Sequence, residues 1–432
     1  MKKILCAILC CIMVLAVGCT PAGSGETTAA APETHTLSVG FGQADITPTE
    51  SIPLHGLGNP PGRMSEEVRD HLYTTCIAFT DETGNTILMY HQDLIGATPA
   101  VTLLVRNELS KETGIPMEQI MVTGTHNHSG PSLGYTNMPC IADYIEMLKE
   151  QMKKAARDAL ADRKTVTGMY STSANPANMN FIRHYNMADG TVAGDNFGKF
   201  TGNTILGHTM ESDNQLQLIK FTREGGKDVV LMNWQGHPTG HQNYRYAVLS
   251  DVDIIRKKIE AELDCQFAFF LGASGNVNNS SRIKGERAAK DYVEHNEMLA
   301  QYAINAAENF RAMEIGKVQI IGENYKGVTK ANKNVTMDIP IFAISLGDVA
   351  FVTAPYEMFN ESGMAIKEGS PFKTTFVATC ANNSLSYMPT SATFHYTGDV
   401  AYEVNQTKFV EGTAELLVTE FVSMLNQLYT TK

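Results

Sequence analysis

The chain has 432 residues, 43% of them hydrophobic and 19% charged, a globular composition long enough for one large core or two modest ones. A formal net charge of -12 argues against a nucleic-acid partner and against a basic membrane-docking face.

Residues 1–19, MKKILCAILCCIMVLAVGC, carry two lysines and then an apolar run from Ile4 to Val17. The run is short and ends in small residues, which predicts a secretory leader rather than a spanning helix. Its ending, Leu15-Ala16-Val17-Gly18-Cys19, resembles a bacterial lipobox. The expectation is therefore an exported chain, lipid-anchored at Cys19 to the outside of a bacterial membrane. Residues 20–36 are rich in Thr, Ala, Pro and Gly and read as a flexible tether. Of the eight cysteines, Cys76, Cys140, Cys265 and Cys380 remain after the leader, with no C-x-x-C pair. A cysteine zinc site is not expected, and buried thiols are.

From residue 37 to 432 no second linker, repeat or low-complexity break interrupts the chain. Apolar runs alternate with helical patterns, which predicts an α/β fold: a single domain of mixed β-sheets flanked by helices. In chain order, strands are expected at Thr75–Thr80, Thr86–Tyr90, Gln119–Thr123, Gln215–Phe221, Val229–Trp234, Phe267–Leu271, Val318–Gly322, Ile339–Leu346 and Val349–Thr353. The last two flank Gly347-Asp348, a hairpin turn signal. Helices are expected at 142–162, where Tyr144, Leu148, Met152 and Ala159 share a face, and at 251–263, 288–313 and 411–428. Ser250 and Asp251 suit a helix N-terminus. Gly40-Phe41-Gly42 is too short for a nucleotide fingerprint, and there is no phosphate loop.

Twelve histidines are unremarkable in number, so their placement carries the argument. His126 and His128 follow the strand-like Ile120–Thr123. On an extended chain, residues i and i+2 project to one side, so both rings can face a metal. They can equally be polar residues satisfied in the turn Ser129-Gly130-Pro131. His237 follows the apolar run Val229–Trp234, again beside Gly and Pro, at a strand end that would mount a ligand rigidly. His241 reads as a loop histidine. Glu357 follows a third apolar strand and Ala354-Pro355, as a hard ligand or as an acid at a helix N-terminus.

The blocks VGFGQADITP (39–48), GTHNHSGP (124–131), NWQGHPTGH (233–241), GASGNVNNS (272–280), APYEMF (354–359) and ANNSLSYMPT (381–390) resemble, in that order, the neutral, non-lysosomal ceramidases. The likeness spans nearly all of the chain after the leader. It implies a zinc ion held at strand ends by His126, His237, Glu357 and Tyr387. It implies His128 as a polar group beside the metal, Arg183 in AsnPheIleArgHis as a substrate contact, and Tyr402 close to the reacting carbonyl. The resemblance departs at Gly275-Asn276-Val277-Asn278-Asn279-Ser280, where Asn278 stands in place of the family's active-site serine. The longer ceramidases also carry a C-terminal immunoglobulin-like domain, for which no pattern follows the helix at 411–428.

The implied activity is zinc-dependent hydrolysis of a small-molecule or lipid N-acyl amide by metal-activated water, which needs no covalent nucleophile. Two other readings use the same residues. An amidohydrolase barrel also carries a His-x-His pair, normally on its first strand, and would show eight closed strands. A non-catalytic, ligand-binding lipoprotein would keep the fold without turnover.

Overall fold

Runs such as Thr86–Gln92 (TILMYHQ) and Asp228–Trp234 (DVVLMNW) place apolar residues at consecutive positions, which requires a sheet covered on both faces. A computed structural model, describing residues 35–56, 62–195, 204–238, 242–286 and 289–432, shows that cover. The expected leader, Cys19, most of the tether and His241 lie outside the described residues.

The larger sheet has nine strands. Eight run across it in the order Cys265–Leu271, Asp228–Trp234, Leu216–Arg223, Lys164–Ala174, Leu37–Asp45, Tyr73–Asp81, Thr86–Gln92, Ile120–Gly124. The ninth, Arg311–Met313, pairs with Lys164–Ala174. The two end pairs are parallel and the interior ladders antiparallel. The smaller sheet runs Val318–Val328, Thr336–Leu346, Val349–Thr353, Thr374–Ala378, its last pair parallel.

The sheets face each other. Ile77, Phe79, Leu231 and Phe270 from the larger sheet share one core with Ile344, Phe351 and Phe376 from the smaller. Side chains alternate across a strand, so the intervening residues point outward onto helices. Cys76 and Ala78 meet the helix Pro139–Ala161, while Val230 and Met232 meet Asp251–Leu263 and Tyr292–Ala307. Ala350 and Val352 meet Asn360–Gly369 and Thr413–Thr430. The result is helix, sheet, sheet, helix, in four layers. Gly40 and Gly42 let the helix Pro139–Ala161 lie close: a Cβ there would fall 1.9 Å and 2.1 Å from the carbonyls of Ala159 and Ala155.

All nine expected strands form, as do the helix Asp251–Leu263, capped by Ser250 Oγ accepting from Asp253 N, and the turn at Gly347, with φ 84°. The expectation for 288–313 is corrected. Asp291 caps a helix at Tyr292–Ala307, and Arg311–Met313 leaves it to pair with Met169–Ser171. Lys164–Ala174 escapes the apolar-run criterion because its sequence, KTVTGMYSTSA, is polar, yet it lies in the middle of the larger sheet. No closed eight-stranded barrel occurs among the described residues, which removes the amidohydrolase reading. No helix among them is long and apolar enough to cross a membrane. The four cysteines are free thiols, three of them buried.

Candidate metal centre

The parallel pairs deliver the predicted residues. Ile120–Gly124 ends in a turn in which His126 takes φ 62°, so the geometry that brings His126 and His128 together is a kink, not the strand alternation expected from sequence. Asn127 holds that kink: its Nδ2 donates to the carbonyls of Asp93 and Leu249, and its Oδ1 accepts from Ser129 N. His237 arrives three residues beyond Trp234 from the opposite end of the sheet. The rings of His126, His128 and His237 pack with centroids 4.5–4.9 Å apart. Their nitrogens lie within 4.8 Å of one another, a group that can hold a metal ion.

The partners of the ring nitrogens fix which face points inward. His126 Nδ1 bonds the Ile95 carbonyl at 2.8 Å and His237 Nδ1 bonds that of Ser274 at 3.1 Å. Both Nδ1 atoms are therefore donors, leaving Nε2 as the inward ligand atom, as metal-binding histidines require. His237 Nε2 and His128 Nε2 lie 3.1 Å apart, aimed at the same point.

Glu357 and Tyr387 come from the smaller sheet. Its parallel pair continues past Thr353 and Ala378 into a second, two-residue parallel ladder in which Glu357 stands directly opposite Tyr387. Glu357 N donates to Ser386 O, and Ser386 has a positive φ of 68°. Gly275 packs under this ladder, where a Cβ would fall 2.8 Å from the Glu357 carbonyl. Glu357 Oε2 lies 3.3 Å from His126 Nε2, an ion-pair contact; the oxygen is buried and meets no donor in hydrogen-bond geometry. Burial alone would raise its pKa, but the charge of His126 beside it, with help from His237, holds the carboxyl at about 2. The same pairing raises His126 against its own desolvation, whereas burial and the His126 and Arg183 charges push His237 down to about 3.

This donor set fits a divalent metal. Imidazole, carboxylate and phenol are nitrogen and oxygen donors of the kind zinc accepts. The Glu357 oxygen 3.3 Å from His126 Nε2 meets no donor in hydrogen-bond geometry, so a bound cation would give it a partner.

Behind Tyr387 lies a completed ion pair. Arg183 Nε donates to Glu403 Oε1 at 2.6 Å and Nη2 to the Gly275 carbonyl at 2.7 Å. The guanidinium lies 5.6 Å from the Tyr387 ring centre, and Tyr402 packs edge-on to Tyr387 at 5.5 Å. Burial opposes the Glu403 charge, yet Arg183 and then His184 hold that carboxyl at about 2. Asn278, at the serine position of the resembling family, donates from Nδ2 to the Asp195 carbonyl at 3.2 Å, and its strand pairs with Phe181–Ile182 beside Arg183.

All seven residues singled out in the sequence thus gather in one region: His126, His128 and His237 as a trio, Glu357 against His126, and Tyr387 between Glu357, Arg183 and Tyr402. Three contributors were not foreseen. Glu403 follows Tyr402 directly, but nothing in its sequence context links it to Arg183, 220 positions away. His184 lies 3.4 Å from Glu403. Arg63, 2% exposed, donates to the carbonyls of His55, His128 and Arg245 at 2.5–2.9 Å and so pins the His128 turn.

No protein-family model and no curated protein matches the chain. Among solved structures, a ceramidase complexed with C2 aligns with a TM-score of 0.73 over 92% of this chain and 76% of that one, at 14% identity. Neutral ceramidase from Pseudomonas aeruginosa aligns with a TM-score of 0.70 over 92% and 75%, also at 14% identity. By this likeness, the chain has the fold of the neutral ceramidases.

Proposed function

We propose that this protein is a zinc-dependent amidase of ceramidase type, cleaving the N-acyl bond of a small-molecule or lipid substrate. We further propose that it is exported and tethered through Cys19. The observation that carries the catalytic reading is the grouping of His126, His128 and His237, with the Glu357 carboxylate against His126, on a fold shared with ceramidases. Zinc, when bound, polarises a carbonyl and lowers the pKa of a coordinated water to roughly 7, which suits an unreactive amide.

The chain's own residues divide the remaining work. His126 and His237, each fixed by a backbone carbonyl through Nδ1, present Nε2 to the ion; Glu357 and Tyr387 complete the set. Arg183 holds the Tyr387 phenol in place, itself held by Glu403. Tyr402 donates to the oxygen of the substrate carbonyl as charge develops there, a contact worth about 3 kcal/mol in comparable sites. His128 delivers the proton that the departing amine requires. Asn278 leaves no hydroxyl at the family's serine position, and this route uses none.

The test is bound zinc and hydrolysis of N-acyl amides before and after His237→Ala, with a panel of ceramides, N-acyl amino acids and short-chain amides. Loss of both metal and rate is expected. An unchanged rate in the variant, or a zinc-free wild type that stays active, overturns the reading.

A further inference from the structure

The strand Ile120–Gly124, which leads to His126, lies at the end of the larger sheet and pairs with Thr86–Gln92 along one side. The backbone groups on its other side are buried and need partners of their own. Cys380–Asn382, just beyond the smaller sheet's strand Thr374–Ala378, supplies them. Gly124 N donates to the Cys380 carbonyl at 3.3 Å, and Asn382 N donates to the Val122 carbonyl at 2.7 Å.

The same stretch is laced to the turn that delivers Glu357. Ala381 N donates to the Ala354 carbonyl at 2.9 Å, and Leu385 N donates to that of Pro355 at 2.8 Å. Cys380–Asn382 is therefore a seam between the two sheets, with a metal-site residue a short way along each chain that meets it. His126 follows Gly124 by two residues, Glu357 follows Ala354 by three, and Tyr387 follows Asn382 by five.

One side chain completes the seam. Asn382 is buried and has φ 60°, a left-handed conformation that turns the chain away from the strand it has just met. Val122 N donates to its side-chain Oδ1, at 2.8 Å, in place of a backbone carbonyl. Its Nδ2 points the other way, to Met121 Sδ at 3.3 Å. Asparagine is among the few non-glycine residues that take a positive φ readily, and it brings the amide that the ladder needs there. Metal ligands must be held to within about 0.5 Å of working geometry, and a seam two to five residues away is the nearest place to set that register. We infer that Asn382 is a positioning residue for the metal centre, fixing the His126 strand against the segments that carry Glu357 and Tyr387, a role that rests on zinc being the ion bound there.

The experiment is zinc titration against a chromophoric chelator, on the full chain and on its Asn382→Gly and Asn382→Asp variants. Glycine keeps the left-handed backbone and removes the amide; aspartate keeps an acceptor for Val122 N. Asn382→Gly is expected to bind zinc at least about tenfold more weakly, the scale on which lost support behind metal ligands is felt. Asn382→Asp is expected to restore most of that loss, which a general weakening of the fold would not do. If circular dichroism shows Asn382→Gly unfolded, amide exchange in the wild type decides: zinc is expected to slow Val122 and Asn382 together, and slowing of neither or of only one overturns the role. So does an Asn382→Gly protein that binds zinc as tightly as the wild type, or an Asn382→Asp protein as weak as the glycine variant; both results leave the zinc reading intact. A wild type that binds no zinc overturns both.

Discussion

Two buried carboxylates within this region are neutralised in different ways. Glu403 is closed: Arg183 and His184 face it, and each charge finds its partner within the chain. Glu357 is open: the imidazole of His126 lies against it, and a proton on that ring or an added cation can balance it. Both carboxyls are held at about 2, so acidity does not tell them apart. What separates them is the nature of the partner. A guanidinium is always charged and completes a structural pair, whereas an imidazolium can release its proton to solvent and bind a metal in its place. A closed pair supports a site; an open one invites an ion.

The largest effect should come from breaking the closed pair. Arg183→Met leaves Glu403 buried without its cation and should cost about 3–5 kcal/mol of stability with or without metal, read from urea midpoints. A loss seen only in zinc-loaded protein would mean that the pair serves the metal rather than the fold. Next, Glu357→Gln should leave metal-free stability within about 1 kcal/mol but remove the gain on adding zinc. For the wild type that gain is about 2.7 kcal/mol at a hundredfold excess over the dissociation constant. Melting temperatures with and without zinc check this; an equal rise in both proteins would contradict it.

The most gradual effect is on acidification, at most about 1.4 kcal/mol per pH unit for each group. His91 and His295 are buried and neutral, pushed by desolvation to about 3 and about 4, while the unfolded chain protonates its histidines near 6.5. The unfolded state then binds more protons, so stability should begin to fall below pH 6.5. Glu403, ionised in the fold down to about 2, adds a second loss as pH drops below its unfolded value of about 4.3. In Glu403→Gln the loss below pH 4.3 should become shallower by the Glu403 share while the earlier one persists; urea midpoints from pH 8 to pH 3 separate them.

Much of the layering was legible because strands buried on both faces advertise themselves as unbroken apolar runs, as Val349–Thr353 does. Lys164–Ala174 was not, since a strand whose burial alternates and whose exposed positions carry Thr and Ser has no such run. Within the site, the short-range features could be read: His-x-His at a strand end, and Ala-Pro-Tyr-Glu after another. The long-range ones could not. That Glu357 stands opposite Tyr387 depends on two strands pairing in parallel across 30 positions, and that Arg183 meets Glu403 depends on the whole fold. His126 shows the intermediate case: its proximity to His128 was expected, but the cause is a left-handed residue that alternation does not predict.

The division of labour between neighbouring histidines is the central claim, and metal content measured beside rate tests it most directly. With zinc quantified by mass spectrometry and N-acyl amide hydrolysis assayed on the same samples, His126→Ala should lose both the metal and the rate. His128→Ala should retain near-stoichiometric zinc and lose at least about a hundredfold in kcat, the scale of a missing general acid. Loss of zinc from His128→Ala to the same extent would make it a third histidine ligand and contradict the account.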